Sequence, residues 1–105
     1  MSINVTHNEA AGRYELSLDE RLVGVAEYSR HGDVLDFTHT EITAGHGGQG
    51  LGTTLVAAAL DDVSRRSLGV VPHCWFVRDH IVEHPAEYLA LVPAERRAEF
   101  RLPDA

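Results

Sequence analysis

Between Arg13 and Ile42 the chain reads as extended segments with almost nothing between them, and that spacing constrains the fold more than any other feature. In GRYELSLDE the apolar residues Tyr14, Leu16 and Leu18 alternate with polar ones, the period-two pattern of a half-buried strand. RLVGVAEYS follows across Asp19-Glu20, and DVLDFTHTEI follows across the turn His31-Gly32-Asp33. INVTHN, at 3–8, is a shorter candidate strand. A parallel crossover needs a dozen residues or more, and none of these connections has them. The segments are therefore expected to form an antiparallel meander.

The period then changes. From Thr53 to Ser67, the residues Leu55, Val56, Ala59, Leu60 and Val63 fall on one helical stripe. Asp61, Asp62, Arg65 and Arg66 lie elsewhere and read as a solvated face. Gly69, after Leu68, suits the left-handed position that closes a helix. VVPHC reads as a short buried strand, and WFVRDHIVEH as a second amphipathic helix stopped before Pro85. Trp75, Phe76, Val77 and Ile81 are expected to be core. The tail from Ala86 reads as a weak short helix. The order is β-β-β-β-α-β-α, an α+β (mixed α/β) design in which an antiparallel meander precedes a βαβ crossover, and a central mixed sheet is flanked by helices. With 105 residues and 44% apolar content, the chain is expected to be a single domain spanning 1–105.

Where the period changes, residues 45–54 read GHGGQGLGTT, with five glycines in eight positions. Backbone amides at the mouth of a helix suit an anion. A P-loop would need Lys after Gly52, but Thr53 stands there and the chain has no Lys at all. A dinucleotide fingerprint would need a third glycine, which Gly50-Leu51-Gly52-Thr53-Thr54-Leu55 lacks, and a preceding βαβ unit rather than a meander. The pyrophosphate of coenzyme A needs only the amides and the helix dipole, and glycines let the backbone come close. That reading is the one expected.

Composition narrows the class. The formal charge of −7, with all nine basic residues Arg, argues against a broad nucleic-acid surface and suits a cationic substrate such as an amine. One cysteine, Cys74, excludes an internal disulfide and fits a reducing cytoplasm. No stretch has the pattern of a signal peptide or a membrane span.

Residues 47–52, Gly-Gly-Gln-Gly-Leu-Gly, resemble motif A of the GNAT superfamily of N-acetyltransferases, Q/R-x-x-G-x-G/A. With FTHTEI at 37–42, GQGLGTTLV at 48–56, VVPHCWFV at 70–77 and HPAEY at 84–88, the chain is similar to a small stand-alone branch of that superfamily over nearly all of residues 13–92. Three positions depart from the pattern: Gly47 replaces the usual Gln or Arg, Trp75 a proline, and His80 a tyrosine common in this branch. Two helices that larger members insert after their first strand, and that help to build the acceptor site, are missing. The resemblance implies acetyl-CoA as cofactor and an amine as acceptor, in a small molecule or a protein. It also implies that Ile42, Thr43, Gly47, Gly48, Gln49, Gly50, Leu51, Gly52, Thr53 and Thr54 hold the cofactor, with backbone groups near Glu41 to Thr43 beside the pantetheine arm. A CoA-binding module without turnover is the alternative.

Acetyl transfer needs a group to deprotonate the amine, donors for the carbonyl oxygen and an acid for the departing thiolate. Leu35, Phe37, His39 and Glu41 alternate, so His39 and Glu41 are expected to continue an apolar strand face towards the loop. His39 is the candidate general base; for Glu41, a role in catalysis and a merely structural hydrogen bond stay open. Cys74, at the start of a helix, is either a small buried residue or a nucleophile forming an acetyl-cysteine. Direct attack by the amine is the preferred route, and neighbouring His73 is expected on the opposite face. His80 and His84 have a metal-like spacing but no third ligand. His80 is a candidate acid for the leaving thiolate, and His7, His31 and His46 read as loop or edge residues.

Overall fold

The structure, a computed structural model, describes residues 2–43, 45 and 50–103. Four strands, β1 (Ile3–Asn8), β2 (Arg13–Leu18), β3 (Arg21–His31) and β4 (Val34–Ile42), pair antiparallel in chain order. Helix α1 (Leu51–Arg65) then crosses over, and β5 (Gly69–Pro72) returns parallel to β4. Helix α2 (Trp75–Glu83) and the short α3 (Pro85–Tyr88) follow, and the tail continues in three 3-10 turns. The order expected from the periodicity is the order found. The β2–β3 turn is made by Asp19 and Glu20, with φ of 51° and 70°. Two successive left-handed residues are what a tight hairpin with right-handed twist demands.

One core lies between the sheet and the helices. Tyr14, Leu16, Ala26, Leu35 and Phe37 line the sheet face, and Leu55, Val56, Ala59, Leu60 and Val63 form the stripe of α1 set against it. Val77 and Ile81 of α2 extend the same core, as do Tyr88, Leu89 and Val92. Among the described residues no helix is long and apolar enough to cross a membrane.

Three expectations need correction here. Helix α1 begins at Leu51 rather than Thr53, and Ser67, not Gly69, takes the left-handed closing position with φ 57°. Leu68 N–H donates to Val63 O (3.0 Å) and Ser67 N–H to Ser64 O (3.1 Å), the paired bonds of a Schellman ending. Gly69 is needed for space instead, since a Cβ there would lie 3.2 Å from the Leu91 carbonyl oxygen. Nor are Asp61 and Asp62 simply solvated. The Tyr88 hydroxyl donates to Asp61 (2.8 Å), and the Tyr14 hydroxyl, Arg65 and Arg66 all donate to Asp62.

Candidate active site

The site starts from an irregularity in β4. Strands β3 and β4 keep step from His31–Val34 to Tyr28–Phe37, but the next pair is Glu27–His39. Thr38 is therefore an extra residue in β4, a bulge that shifts every later side chain by one position. Leu35 and Phe37 face the core, and beyond the bulge Thr40 does so too, being paired with buried Ala26. His39 and Glu41 consequently lie on the opposite face, not on the apolar face expected from simple alternation. There His39 Nε2 sits 3.3 Å from Glu41 Oε1, with both side chains more than half exposed. Together with Arg13, Val25 and Glu27 they line an open groove of about 320 Å³.

Strand β4 also loses its neighbour at this point. It pairs with β5 only over Val34–Phe37, and the last link is the Cys74 N–H donating to Phe37 O (2.8 Å). On its other side, Thr43 N–H donates to Val23 O (2.7 Å), which makes Gly24–Ile42 a non-hydrogen-bonded pair. Antiparallel pairs alternate, so Ala26–Thr40 is one as well. The backbone groups of Thr40 and Ile42 thus point away from β3, into the gap that β5 has left. The Thr43 amide, expected to be available with them, is already engaged by β3.

Cys74 precedes α2 as its N-cap residue and is buried. Its Sγ–H donates to Thr40 Oγ1 at 3.4 Å, so thiol and hydroxyl meet at the mouth of the gap. His73 turns the other way, as expected, with Nδ1 2.7 Å from Asp36 Oδ1. Cys74 and the His39–Glu41 pair therefore stand on opposite faces of the sheet. Thr40 is the neighbour that sequence reasoning missed, because without the bulge it falls on the wrong face.

Helix α1 opens towards the same end of the sheet. Its N-cap, Gly50, is left-handed at φ 72°, offers no side-chain cap, and is followed by no acidic residue in the first turn. The first helical bond is Thr54 N–H to Gly50 O (3.1 Å), which leaves the amides of Leu51, Gly52 and Thr53 without helical partners. Gly52 has a packing reason as well: a Cβ would come within 2.9 Å of Phe76 Cζ. Gly47, Gly48 and Gln49, expected to hold the cofactor, lie outside the described residues.

On α2 the inward residues are Val77, His80 and Ile81. Trp75, two positions before Val77, therefore projects outwards and is 70% exposed, contrary to its expected place in the core. His80 is 6% exposed, with its ring against those of His84 and Tyr88. Burial, and then the positive charge of His84, push the His80 imidazole below its ordinary range; Glu83, Glu87 and Asp61 pull it the other way. Among the described residues no group of three or more side chains is arranged to hold a metal ion.

A meander leading into a split parallel pair, with a helix N-terminus at the split, defines a class. A family profile for the GCN5-related N-acetyl-transferase domain matches residues 13–91, and the chain belongs to that family. Proteins of this family bind acetyl-CoA and use an amine acceptor. The relatives include Protein NATD1 of Mus musculus, 29% identical over 86 residues that make up 79% of this chain and 77% of the relative. Protein NATD1 of Xenopus tropicalis is 30% identical over 87 residues, 80% of this chain and 79% of its own. Among solved structures, a GCN5-like protein from Staphylococcus aureus superposes with a TM-score of 0.61 at 18% identity, covering 86% of this chain and 87% of that one. The ribosomal-protein-S18-alanine N-acetyltransferase from Escherichia coli gives 0.52 at 17% identity; the match covers 55% of this chain but only 38% of that enzyme. Both share the fold.

Proposed function

We propose that the chain is an acetyl-CoA-dependent N-acetyltransferase that moves the acetyl group to an amine of a small molecule or a protein by direct attack. The observation that carries this reading is the set of backbone groups at Thr40 and Ile42, facing the gap between β4 and β5 beside an uncapped, acid-free helix N-terminus. The amides of Leu51, Gly52 and Thr53, with the positive end of the α1 dipole, suit a pyrophosphate. The β4 groups suit the amide-bearing arm of coenzyme A. These residues fit the cofactor without any lysine.

His39 acts as the general base, taking a proton from the incoming amine while the Glu41 carboxylate holds its ring. Nitrogen then attacks the acetyl carbon, the new amide bond forms, the C–S bond breaks, and the departing sulfur takes up a proton. The uncovered sheet face gives the acceptor an open approach along the groove beside Glu27 and Arg13. Direct attack is favoured over an acetyl-cysteine because the Cys74 thiol contacts a hydroxyl, and no imidazole or carboxylate among the described residues hydrogen-bonds it. A cytoplasmic setting, with Cys74 kept as a free thiol, is part of the proposal.

Thermal unfolding with acetyl-CoA, CoA, NAD and ATP at one concentration tests it. A ligand at about a hundred times its Kd adds roughly 2.7 kcal/mol, and each kcal/mol moves the midpoint by about 4–8 °C in a domain of this size. The expected result is a shift with the two CoA ligands alone, followed by acetyl transfer to at least one amine in a screen. A shift with NAD or ATP, or with none of the four, sinks the reading.

A further inference from the structure

The groove that holds His39 and Glu41 is built from rows of side chains on the uncovered face of the sheet. Asn8 pairs with Arg13, Arg13 with Glu27 and Glu27 with His39, so four strands present these residues in one line. The next row is Thr6, Glu15, Val25 and Glu41. Most of the charges in these rows are already matched. Arg13 Nε donates to Glu15 (2.7 Å), as does the Asn8 amide (3.1 Å), and these bonds hold the Glu15 carboxyl below its ordinary range. Glu41 is engaged by His39. Glu27 is left over: no described residue hydrogen-bonds or ion-pairs with its carboxylate, although it stands directly opposite His39.

An unmatched carboxylate one strand away from the base is a place for a positive charge. Side chains directly opposed on neighbouring strands start about 4.5–5.5 Å apart at Cβ, and that sets the scale between a charge on Glu27 and a nitrogen at His39. A monoamine leaves Glu27 without a partner, because its single nitrogen is the one that reacts. An amino acid would set its own carboxylate against that of Glu27. An aliphatic chain ending in a second ammonium matches both positions. Half-buried Val25 beside Glu27, and Leu22 further along the groove at 46% exposed, give its methylenes an apolar floor. The volume of about 320 Å³ lies at the lower end of the roughly 300–1,000 Å³ of small-molecule sites, which favours a short chain.

We infer that the acceptor is a short aliphatic diamine, and that Glu27 determines this specificity by holding the ammonium that does not react. The inference rests on the acetyltransferase reading above and narrows its acceptor from any amine to a dication. The nitrogen at His39 gives its proton to the imidazole and attacks the acetyl carbon. The C–S bond breaks, and the departing sulfur takes up a proton. The nitrogen at Glu27 keeps its own proton throughout and leaves on the monoacetylated product. The chain's charge of −7 acts in the same direction, drawing a cation towards the groove from a distance.

The experiment compares putrescine with butylamine, which has the same carbon chain and one ammonium fewer, as acetyl acceptors at saturating acetyl-CoA. The ratio of their kcat/KM values is expected to favour putrescine about fivefold, the upper end for an ion pair that water still reaches. The preference should lie in KM rather than kcat and should shrink near 1 M salt. Glu27→Gln should bring the ratio close to one, and Glu27→Asp should keep part of it. Glu27→Arg should move the preference to γ-aminobutyrate, which carries a carboxylate at its far end. Each variant is read as a ratio between two acceptors, so a general loss of folded protein does not imitate the result. Equal use of putrescine and butylamine by the native protein, or a ratio that Glu27→Gln leaves unchanged, overturns the role of Glu27 while the acetyltransferase reading stands. Transfer to other amines, or to a lysine peptide, but not to putrescine does the same. If no amine at all is acetylated, both fall.

Discussion

At the scale of single residues, Gly52 shows how one position serves two requirements. A methyl group there would crowd the Phe76 ring, because its carbon would sit 2.9 Å from Cζ. Overpacking of this kind costs about 1–3 kcal/mol, whereas alanine in place of glycine inside a helix gains about 1 kcal/mol when nothing obstructs it. Gly52→Ala should therefore lower the denaturant midpoint in the native protein and raise it in a Phe76→Leu background. A loss of equal size in both backgrounds would show that Phe76 is not the obstacle. His39 is tested by activity instead. With a suitable amine, His39→Ala should reduce kcat by about 10²–10⁴-fold, the usual contribution of a positioned base, and leave the acetyl-CoA thermal shift intact. A variant that keeps full kcat would remove His39 from the mechanism. Cys74→Ala, in contrast, should retain turnover if the amine attacks directly; a collapse to the level of His39→Ala would favour an acetyl-cysteine.

At the scale of elements, the joint after α1 carries a cost that the sequence does not advertise. Ser67 holds φ 57° at the closing position, where a side chain is strained by about 1–2 kcal/mol. Ser67→Gly should relieve part of that strain, adding about 1 kcal/mol and raising the midpoint by about 4–8 °C. A neutral or destabilising result would mean that the Ser67 side chain makes a compensating contact. The same joint shows what could be read from the chain and what could not. The meander, the helical stripe and the crossover followed from period and connection length, which are properties of long runs. The closing residue did not, because Gly69 looks like the obvious left-handed position and its real task is to let the Leu91 carbonyl approach. The bulge at Thr38 was equally hidden. Phe-Thr-His has no bulge signature, and one inserted residue exchanges the faces of His39 and Thr40. The site's residue types were thus legible, while their grouping was not. Thr40 with Cys74, and His39 with Glu41 on the far side, depend on a register that only the paired strand reveals.

At the scale of the whole molecule, burial and net charge oppose each other as the pH falls. Burial, reinforced by Arg66, holds the His7 imidazole below its ordinary range, although Asp62 and Glu9 pull it upwards; burial and the charge of His84 do the same to His80. A depressed folded value means that the unfolded chain binds the proton more readily, so the stabilisation is complete above the unfolded value and is lost as pH falls through the folded one. For these two groups the loss begins near pH 6.5. Asp62 adds a second window. Burial alone would raise its carboxyl, but the Tyr14 hydroxyl and the Arg66 and Arg65 guanidiniums outweigh burial and lower it, so its contribution disappears only below about pH 4. Against both runs the charge of −7, whose self-repulsion weakens as protons bind. Salt separates the terms, because repulsion between exposed charges is largely screened near 1 M while buried groups are screened much less. In high salt, the midpoint should therefore be flat above about pH 7, begin to fall below about pH 6.5, and fall further below about pH 4. His80→Gln should make the first descent shallower, leaving the part due to His7, and leave the second unchanged. An unchanged first descent in that variant would remove His80 as a cause. A midpoint that rises steadily from pH 7 to pH 5 in high salt would show that neither imidazole resists its proton.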